Sequence, residues 1–151
     1  MADLQELVDD LAAEIGRPIS VEDRRWRLLA HSAHTGATDT VRRTTILARA
    51  APPEVAAWLE SLGVLQARDL VEVPPNAELD MAARVVMPVR HDDVLLGFVW
   101  VVAGEQPLSD GERAALARTA GLAQGLLWER RTQLEQQQHL LRTLLFDDDA
   151  T

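Results

Sequence analysis

The chain has 151 residues, of which 24 are acidic and 15 are basic, and its formal net charge at neutral pH is -9. This charge excludes a domain that holds nucleic acid by itself, because phosphate binding needs clustered positive side chains. The sequence contains no cysteine, which excludes disulfides, thiolate nucleophiles, bilin-type thioether attachment and cysteine-ligated metal sites.

The first half of the chain is predicted to form a helix, a hairpin and two more helices. Asp3 and Glu6 have the spacing of a capping box at the start of the first helix, and Gly16 ends it. Strand-forming residues around a polar turn predict the hairpin, and cap residues followed by apolar periodicity predict the helices. The two strands occupy residues 18–22 and 26–32, and the two helices occupy residues 38–50 and 53–63.

The second half is predicted to form an irregular strand within residues 64–73, a buried hairpin over residues 83–103 and a long helix. Simple alternation sorts the side chains of the last strand into two sets, Val94, Leu96, Phe98, Trp100 and Val102 against Leu95, Val99 and Val101. Gly97 within this strand predicts a bulge or a close approach by another backbone. Because both faces are apolar, we expect terminal helices on one face and the middle helices or a ligand on the other.

A single helix of more than 30 residues is predicted to begin at Ser109. Ser109 and Glu112 form a capping box, and no proline follows. Leucines recur at a spacing of seven residues, at Leu127, Leu134 and Leu141, which is the spacing of a coiled-coil seam. We therefore predict a homodimer held through this helix. The alternative is an amphipathic linker that packs on its own domain.

Several hydrophobic patterns resemble those of a known family. The sequence MPVRHDDVLLGFVWVV followed by LSDGERAALARTAGLAQGLL is similar to the closing hairpin and last helix of GAF-type domains. The upstream sequence EIGRPISVEDRRWRLLAHS is similar to their first hairpin. The segment HLLRTLLFDDDA resembles the LLRxLLxGD segment that opens the middle domain of PucR/CdaR-type bacterial transcriptional regulators. The whole chain thus resembles the N-terminal sensor region of those regulators.

The resemblance implies a GAF-like domain of the α/β (α+β) class. Such a domain has a central antiparallel sheet of about five strands, helices on both faces and a long C-terminal helix. Residues 1–107 would form the core, and residues 108–138 the helix that packs on the sheet and continues as a dimer or linker helix. Residues 139–151 would begin the connection to a following domain.

The resemblance also implies a role as the regulatory input domain of a transcription factor. A small-molecule effector or a partner would change dimer geometry and hence DNA binding by a separate C-terminal helix-turn-helix. The alternative is a degenerate GAF-like module that only dimerises or binds protein, with no small-molecule ligand. No secretion signal is present and no apolar run approaches the roughly 20 residues that span a bilayer, which predicts a cytoplasmic protein without membrane contact.

A ligand cavity would draw on side chains from several elements. Candidates for its apolar lining are Trp58, Met87 and Trp100, and candidates for anchoring an anionic group are Arg42, Arg43 and Arg90. The alternative is structural, since buried aromatic and methionine side chains are mostly core, and arginines beside an apolar face mostly keep their charge in solvent.

No catalytic residue, cofactor or metal site is predicted. The sequence has no glycine-rich phosphate loop and no serine nucleophile motif, and the cyclic-nucleotide motif of GAF domains needs a lysine that this chain lacks. The sequence around His139 is similar to the phospho-acceptor helix of histidine kinases, but Leu140 replaces its acid and Leu144 its proline. We therefore predict that His139 faces solvent and that the domain is not an enzyme.

Overall fold

The computed structural model describes residues 3–33 and 38–146. The helices of this part are α1 Leu4–Ile15, α2 Thr40–Ala48, α3 Pro53–Ser61 and α4 Asp110–Phe146, with a short 3-10 helix at Val64–Gln66. The strands are β1 Ile19–Asp23, β2 Leu28–His31, β3 Val71–Val73, β4 Arg84–His91 and β5 Val94–Val102. Residues 147–151, which belong to the predicted connection over residues 139–151, lie outside the described residues.

The strands form one antiparallel sheet in the order β2-β1-β5-β4-β3. Helices α1 and α4 cover one side of it, here called the terminal-helix face, with a core that includes Leu11 and Leu116. Helices α2 and α3 cover the other side, here called the middle-helix face, with a core that includes Leu59 and Phe98. The predicted fold class, an antiparallel sheet with helices on both faces and a long C-terminal helix, is confirmed.

A bulge near the start of β5 changes which of its side chains share a face. Gly97 lies opposite Val89 and the next pair joins Leu95 to Arg90, which leaves Leu96 as an extra residue. Leu96 therefore packs on the terminal-helix face, and Leu95 packs on the middle-helix face. The faces predicted for Val94, Leu95 and Leu96 are therefore wrong. One extra residue in a strand shifts the alternation, so the side chains before the bulge point to the opposite faces from those predicted.

The backbone of β1 passes very close to Gly97. Asp23 is the direct partner of Gly97 in the ladder between β1 and β5. A Cβ atom on Gly97 would overlap the backbone carbonyl oxygen of Glu22. Glycine is needed here because it has no side chain, and both expectations for Gly97, a bulge and a close backbone approach, are confirmed.

The first hairpin is shorter than predicted because Trp26 belongs to its turn. Trp26 has a positive φ of 66°, and β2 begins only at Leu28. The Trp26 ring stacks on Phe98 with centroids 5.0 Å apart, and its indole N–H donates to the Glu60 carboxylate of α3 at 3.2 Å. The Trp26 ring is packed in the middle-helix core while its backbone lies in the turn. Strand propensity predicts a strand here because it does not include this tertiary packing.

The capping residues predicted for the terminal helices are confirmed. The Asp3 side chain accepts the backbone N–H of Glu6 at 2.8 Å, and Gly16 ends α1 in the left-handed conformation with a φ of 67°. At the start of α4, the Ser109 hydroxyl accepts the backbone N–H of Glu112 at 3.1 Å, and the Glu112 carboxylate accepts that of Ser109 at 3.0 Å. These contacts satisfy backbone donors that have no partner inside the helices.

Helix α4 has a buried first half and an exposed second half. Leu116, Ala123 and Leu127 are buried in the terminal-helix core. Beyond them the apolar side chains face solvent, with Leu134 at 48% and Leu141 at 58% exposure. His139 is also exposed, as predicted. None of the helices in the described ranges is both long and apolar enough to cross a membrane.

Candidate ligand-binding cavity

A small cavity lies between the middle-helix face of the sheet and helices α2 and α3. Its volume is about 30 Å³, which is room for roughly two water molecules. Most of its lining is apolar: Leu28, Val41, Ile46, Ala51, Val55, Leu59, Met81 and Val102. The remaining lining is formed by six side chains with polar atoms: Ser20, Glu22, Arg42, Thr45, Arg84 and Trp100. An apolar cavity with a few convergent polar groups is the usual form of a small-molecule site.

Arg84, at the start of β4, forms a buried ion pair with Asp39, the N-cap residue of α2. Its two terminal nitrogens donate to the two carboxylate oxygens at 2.6 and 2.8 Å. The same carboxylate accepts the backbone N–H groups of Arg42 at 2.9 Å and of Ala82 at 2.7 Å. Burial raises the pKa of Asp39, but Arg84 and the backbone donors outweigh burial and bring the pKa below its ordinary value. This ion pair therefore connects α2 to the sheet, and its two charges neutralise each other.

Arg42, on α2, is a buried guanidinium with one unused donor. Nη1 donates to the carbonyl oxygen of Ile19 at 3.3 Å, and Nη2 donates to that of Ser32 at 3.1 Å. Its Nε is buried and has no hydrogen-bond partner among the described residues. Burial and then the Arg84 charge lower the pKa of Arg42, yet a guanidinium stays charged at physiological pH. The cavity therefore contains a positive charge that forms no ion pair with any carboxylate of the described residues.

Glu22, on β1, is a carboxyl group in the same cavity and is only 6% exposed. Burial raises its pKa to about 8, while the Arg84 charge opposes this rise and the Asp23 charge adds to it. The Arg84 guanidinium is already engaged by Asp39, so it is not available as a direct partner for Glu22. At neutral pH the Glu22 carboxyl is therefore mostly protonated.

Trp100, on β5, brings a second unused donor to the cavity. Its ring packs beside those of Trp26 and Phe98, with centroids 6.3 and 6.0 Å away. The indole N–H lies near the Glu22 carboxyl and lowers its pKa, but it forms no hydrogen bond of acceptable geometry with any of the described residues. Buried donors in proteins nearly always have a partner, so two orphaned donors in one cavity are a strong departure from the rule.

The cavity includes two of the residues predicted to bind a ligand, Arg42 and Trp100. Trp58, on α3, packs against the same middle-helix core without lining the cavity. Met87 packs on the terminal-helix face, because it alternates along β4 with Val86, which faces the other way. The sheet itself thus separates Met87 from the cavity.

The two remaining predicted anchors have contacts of their own. Arg90 donates to the backbone carbonyl oxygens of Leu65 at 2.7 Å and Ala67 at 2.9 Å, and so holds that loop against the sheet. Arg43 is exposed on α2 and donates to the carbonyl oxygen of Thr38 at 2.8 Å. Neither guanidinium lines the cavity.

Three charged residues of this region, Glu22, Asp39 and Arg84, are not singled out as a site by the sequence. A signal exists for Glu22, because it alternates with the buried Val21 in a sheet whose two faces are both covered. No comparable signal exists for Arg84, since its partner Asp39 lies 45 residues away in the chain. Tertiary packing alone brings that pair together.

Two transcriptional activators of Bacillus subtilis (strain 168) are similar in sequence to most of this chain. The DNA-binding transcriptional activator AdeR is 29% identical over 121 residues, which is 78% of this chain and 29% of that protein. The proline-responsive transcriptional activator PutR is 22% identical over 124 residues, which is 79% of this chain and 30% of that protein. The chain thus spans less than a third of the length of these relatives. No protein-family model matches the sequence.

Solved GAF domains are similar to this chain in three dimensions. The cofactor-binding GAF domain of the nutrient sensor CodY from Clostridium difficile superposes with a TM-score of 0.56 over 82% of this chain and 84% of that one, at 12% identity. The GAF domain/HD domain protein from Geobacter sulfurreducens superposes with a TM-score of 0.51 over 97% and 98%, at 16% identity. The chain has a GAF-like fold. At such low identity the likeness concerns the fold alone.

In this GAF-like domain, the last residue of β4 contacts the middle of α4. The His91 ring stacks on the Trp128 ring, with centroids 3.9 Å apart and planes 21° apart. The Gln124 side-chain amide donates to Nδ1 of His91 at 2.9 Å. We call these three residues the hairpin–helix joint. The joint lies where α4 passes from its buried to its exposed half.

The three leucines predicted for a dimer helix have different environments in the GAF-like domain. Leu127 is 3% exposed and belongs to the terminal-helix core. Leu134 and Leu141 lie beyond that core and are exposed, together with Leu140, Leu144, Leu145 and Phe146. An apolar surface available to a second chain therefore begins after Leu127.

Proposed function

We propose that this GAF-like domain is the regulatory input domain of a bacterial transcriptional regulator of the PucR/CdaR type. Its relatives AdeR and PutR are transcriptional activators, and PutR is named proline-responsive, which supports control by a small effector. DNA binding belongs to a separate helix-turn-helix, because this chain has a net charge of -9. The domain works in the cytoplasm and catalyses no reaction.

The cavity under α2 and α3 carries this proposal. Burying a polar group without a partner costs free energy, and here Arg42 Nε and the Trp100 indole N–H are two such groups beside the buried Glu22 carboxyl. Apolar side chains of the same volume would make a more stable core. A ligand that pairs with these groups would recover the lost interactions and bind selectively to the folded state.

Ligand binding would be transmitted to α4 through the hairpin. A cavity of about 30 Å³ must widen to admit a metabolite, so α2 and α3 move relative to β5. Strand β5 pairs with β4, whose last residue is His91, and the His91 ring stacks on Trp128 of α4. A shift between two packings of this kind changes the direction in which the exposed half of α4 leaves the domain.

Dimerisation without a small-molecule ligand is the second candidate function. The exposed leucines of α4 favour it, because an apolar stripe on a helix is usually covered by another helix. In this case the polar groups of the cavity would have only a structural role, and the domain would contribute nothing more than a fixed dimer.

A thermal-shift screen with a broad metabolite library tests the sensing proposal. A ligand present at about 100 times its dissociation constant stabilises the folded state by roughly 2.7 kcal/mol and raises the melting temperature. The shift should shrink in Trp100→Phe, which removes the indole N–H within the cavity. The matched control is Trp58→Phe, which makes the same change in the same core without altering the cavity lining. If no compound raises the melting temperature, the sensing proposal is wrong and dimerisation alone is favoured.

A further inference from the structure

We infer that a groove between the β1–β2 turn and α4 receives the distal end of α4 from a second copy of this chain, lying antiparallel to the first. The distal end comprises residues 139–146 and the acids at 147–149. The inference rests on the proposed dimerisation through α4. It adds the orientation of the two copies and a role for a cluster of arginines.

The groove lies beside α4 at the point where this helix leaves the sheet. Its volume is about 330 Å³. Its walls are the turn between β1 and β2 and one face of α4 from Leu127 to Gln138, and the buried side chains of Leu96 and Leu127 belong to its lining. This part of α4 is about 17 Å long, so the groove is long enough for about three turns of a second helix.

The groove has an excess of positive charge, and we call it the arginine groove. Its lining has two acids, Asp23 and Glu135, and five arginines: Arg24, Arg25, Arg27, Arg130 and Arg131. All of these arginines except Arg131 form no ion pair with any carboxylate of the described residues. Arg131 donates from Nε to Glu135 at 3.1 Å, but its Nη1 is buried without a hydrogen-bond partner in the described ranges. Because like charges placed together repel one another, the groove favours an anionic partner.

Asp23 does not replace that partner, because the turn itself uses its carboxylate. Oδ1 of Asp23 accepts the backbone N–H groups of Arg25 at 2.8 Å and of Arg27 at 3.0 Å. These two contacts fix the shape of the turn. The side chains of Arg24, Arg25 and Arg27 are exposed on it and are available to a second molecule.

The leucine seam predicted for α4 faces the arginine groove in its first half. Leu127 and Leu134 of the seam line the groove, and so does Arg130 between them. Leu134 is half exposed, so a second helix that covers it must enter the groove. Such a helix would lie beside the arginines of the turn.

Charge decides the orientation of that second helix. In a parallel pair, the groove would receive residues 127–138 of the second copy, which bring Arg130 and Arg131 to a groove that is already basic. In an antiparallel pair, it would receive the distal end instead. The described part of this end has five exposed apolar side chains: Leu140, Leu141, Leu144, Leu145 and Phe146.

The antiparallel arrangement matches both components of the groove. The apolar side chains of the distal end would cover the leucines, and the acids that follow in the sequence, Asp147, Asp148 and Asp149, would meet the arginines. The contact is self-complementary about a two-fold axis, so each copy contributes one groove and one distal end. A dimer would therefore neutralise two clusters of like charge in each chain.

Reversal of charge on each side of the contact tests this pairing. Sedimentation equilibrium on the 151-residue chain measures the dimer dissociation constant. Arg24→Glu with Arg25→Glu should raise it at least about 10-fold, since attraction becomes repulsion, and Asp147→Arg with Asp148→Arg should do the same. Combining all four changes restores opposite charges across the contact, so the constant should return to within about 3-fold of the wild type.

The matched control reverses two arginines outside the groove. Arg43→Glu with Arg118→Glu changes the net charge of the chain by the same amount as Arg24→Glu with Arg25→Glu, and neither Arg43 nor Arg118 lines the groove. The control should change the dissociation constant by less than about 3-fold, because it alters only the general repulsion between two acidic chains. An equal loss of dimer in both double variants would overturn the pairing.

A distance between the two copies tests their orientation and needs none of the charge variants. The chain has no cysteine and a Cβ at Gly121 meets no neighbouring atom, so Gly121→Cys provides one tolerated site for a nitroxide label. In an antiparallel pair the two labels lie near opposite ends, and double electron–electron resonance should give about 50 Å. In a parallel pair they lie side by side, at less than about 30 Å.

The outcomes separate this inference from the functions on which it rests. A distance near that of the antiparallel pair, with rescue by the combined charge exchange, is the expected result. The shorter distance in a stable dimer would overturn the antiparallel arrangement and leave dimerisation through α4 intact. A monomer at every concentration would overturn the inference and the dimer together, whereas the sensing function has its own test in the thermal-shift screen.

Discussion

Glu22 is an acidic residue in an environment that disfavours its ionised form. A carboxyl group in an apolar cavity loses its hydration, and here neither Arg84 nor Arg42 replaces it with a direct ion pair. The protein responds by keeping the group protonated, which raises its pKa. Ionisation of this buried group is therefore a cost to stability at alkaline pH.

The pKa of Glu22 predicts how stability depends on pH. In the unfolded chain the carboxyl ionises near its ordinary value of 4.5, whereas in the folded chain it keeps its proton up to about pH 8. The folded state thus binds more protons between these values, so its free energy of unfolding falls as the pH rises, by up to about 1.4 kcal/mol per pH unit.

Urea denaturation of the ligand-free chain at a series of pH values measures this slope. Glu22→Gln has no group to titrate at this position, so its difference from the wild type should change steadily between about pH 4.5 and about pH 8. Glu78→Gln, which removes an exposed carboxylate, should follow the wild-type profile. Parallel curves for the wild type and Glu22→Gln would contradict the raised pKa.

At the scale of elements, the pairing of β1 with β5 depends on one close backbone approach. Gly97 lies directly against the β1 backbone, and the bulge beside it turns Leu96 towards the terminal helices. The atom that a Cβ on Gly97 would overlap is the backbone carbonyl oxygen of Glu22, whose side chain lines the cavity. The shape of the cavity and the pairing of the two strands are therefore linked.

Gly97→Ala should destabilise the domain. The added methyl group would force β1 away from β5, and such overpacking costs about 1 to 3 kcal/mol. Gly121→Ala is the matched control, since a Cβ there meets no neighbouring atom and alanine is the better helix former by about 1 kcal/mol. Chemical denaturation should show opposite signs for the two variants. Equal or improved stability of Gly97→Ala would refute the close approach.

At the scale of the whole molecule, the long helix α4 belongs to two environments. Up to Leu127 and Trp128 it is part of the domain, through the terminal-helix core and the hairpin–helix joint. Beyond Trp128 its leucines contact little of the domain, so that part contributes little to the stability of a single chain. Its apolar surface is therefore where we propose that a second copy of the chain binds.

Truncation after Trp128 should convert a dimer into a monomer with nearly unchanged thermal stability. Analytical ultracentrifugation measures the mass of both forms at matched concentration. In the full chain, Leu141→Glu should weaken the dimer, because it places a charge in the seam. Gln136→Glu, which adds the same charge on the other side of the helix, should not. An unchanged mass after truncation would place the interface elsewhere.

Local patterns account for most of the elements and for only part of the cavity. The capping residues Asp3 and Ser109 and the spacing of apolar residues suffice to predict α1 and α4, because helix ends and helix faces are local properties. Arg42 and Trp100 were identified from charge and apolar character. Met87 lies on the wrong side of the sheet for the cavity, and Arg90 is used by a loop, since side-chain direction and loop contacts depend on the folded neighbours.

The sequence by itself determined an antiparallel sheet covered on both faces and a long capped helix, because a repeating apolar pattern permits few ways to bury two faces. Only the tertiary structure decided the bulge at Leu96, the turn conformation of Trp26 and the convergence of Glu22, Arg42 and Trp100 on one cavity. The physical reason is that the burial and desolvation of a side chain depend on residues that are distant in the chain. A local sequence pattern does not show which distant residues become neighbours.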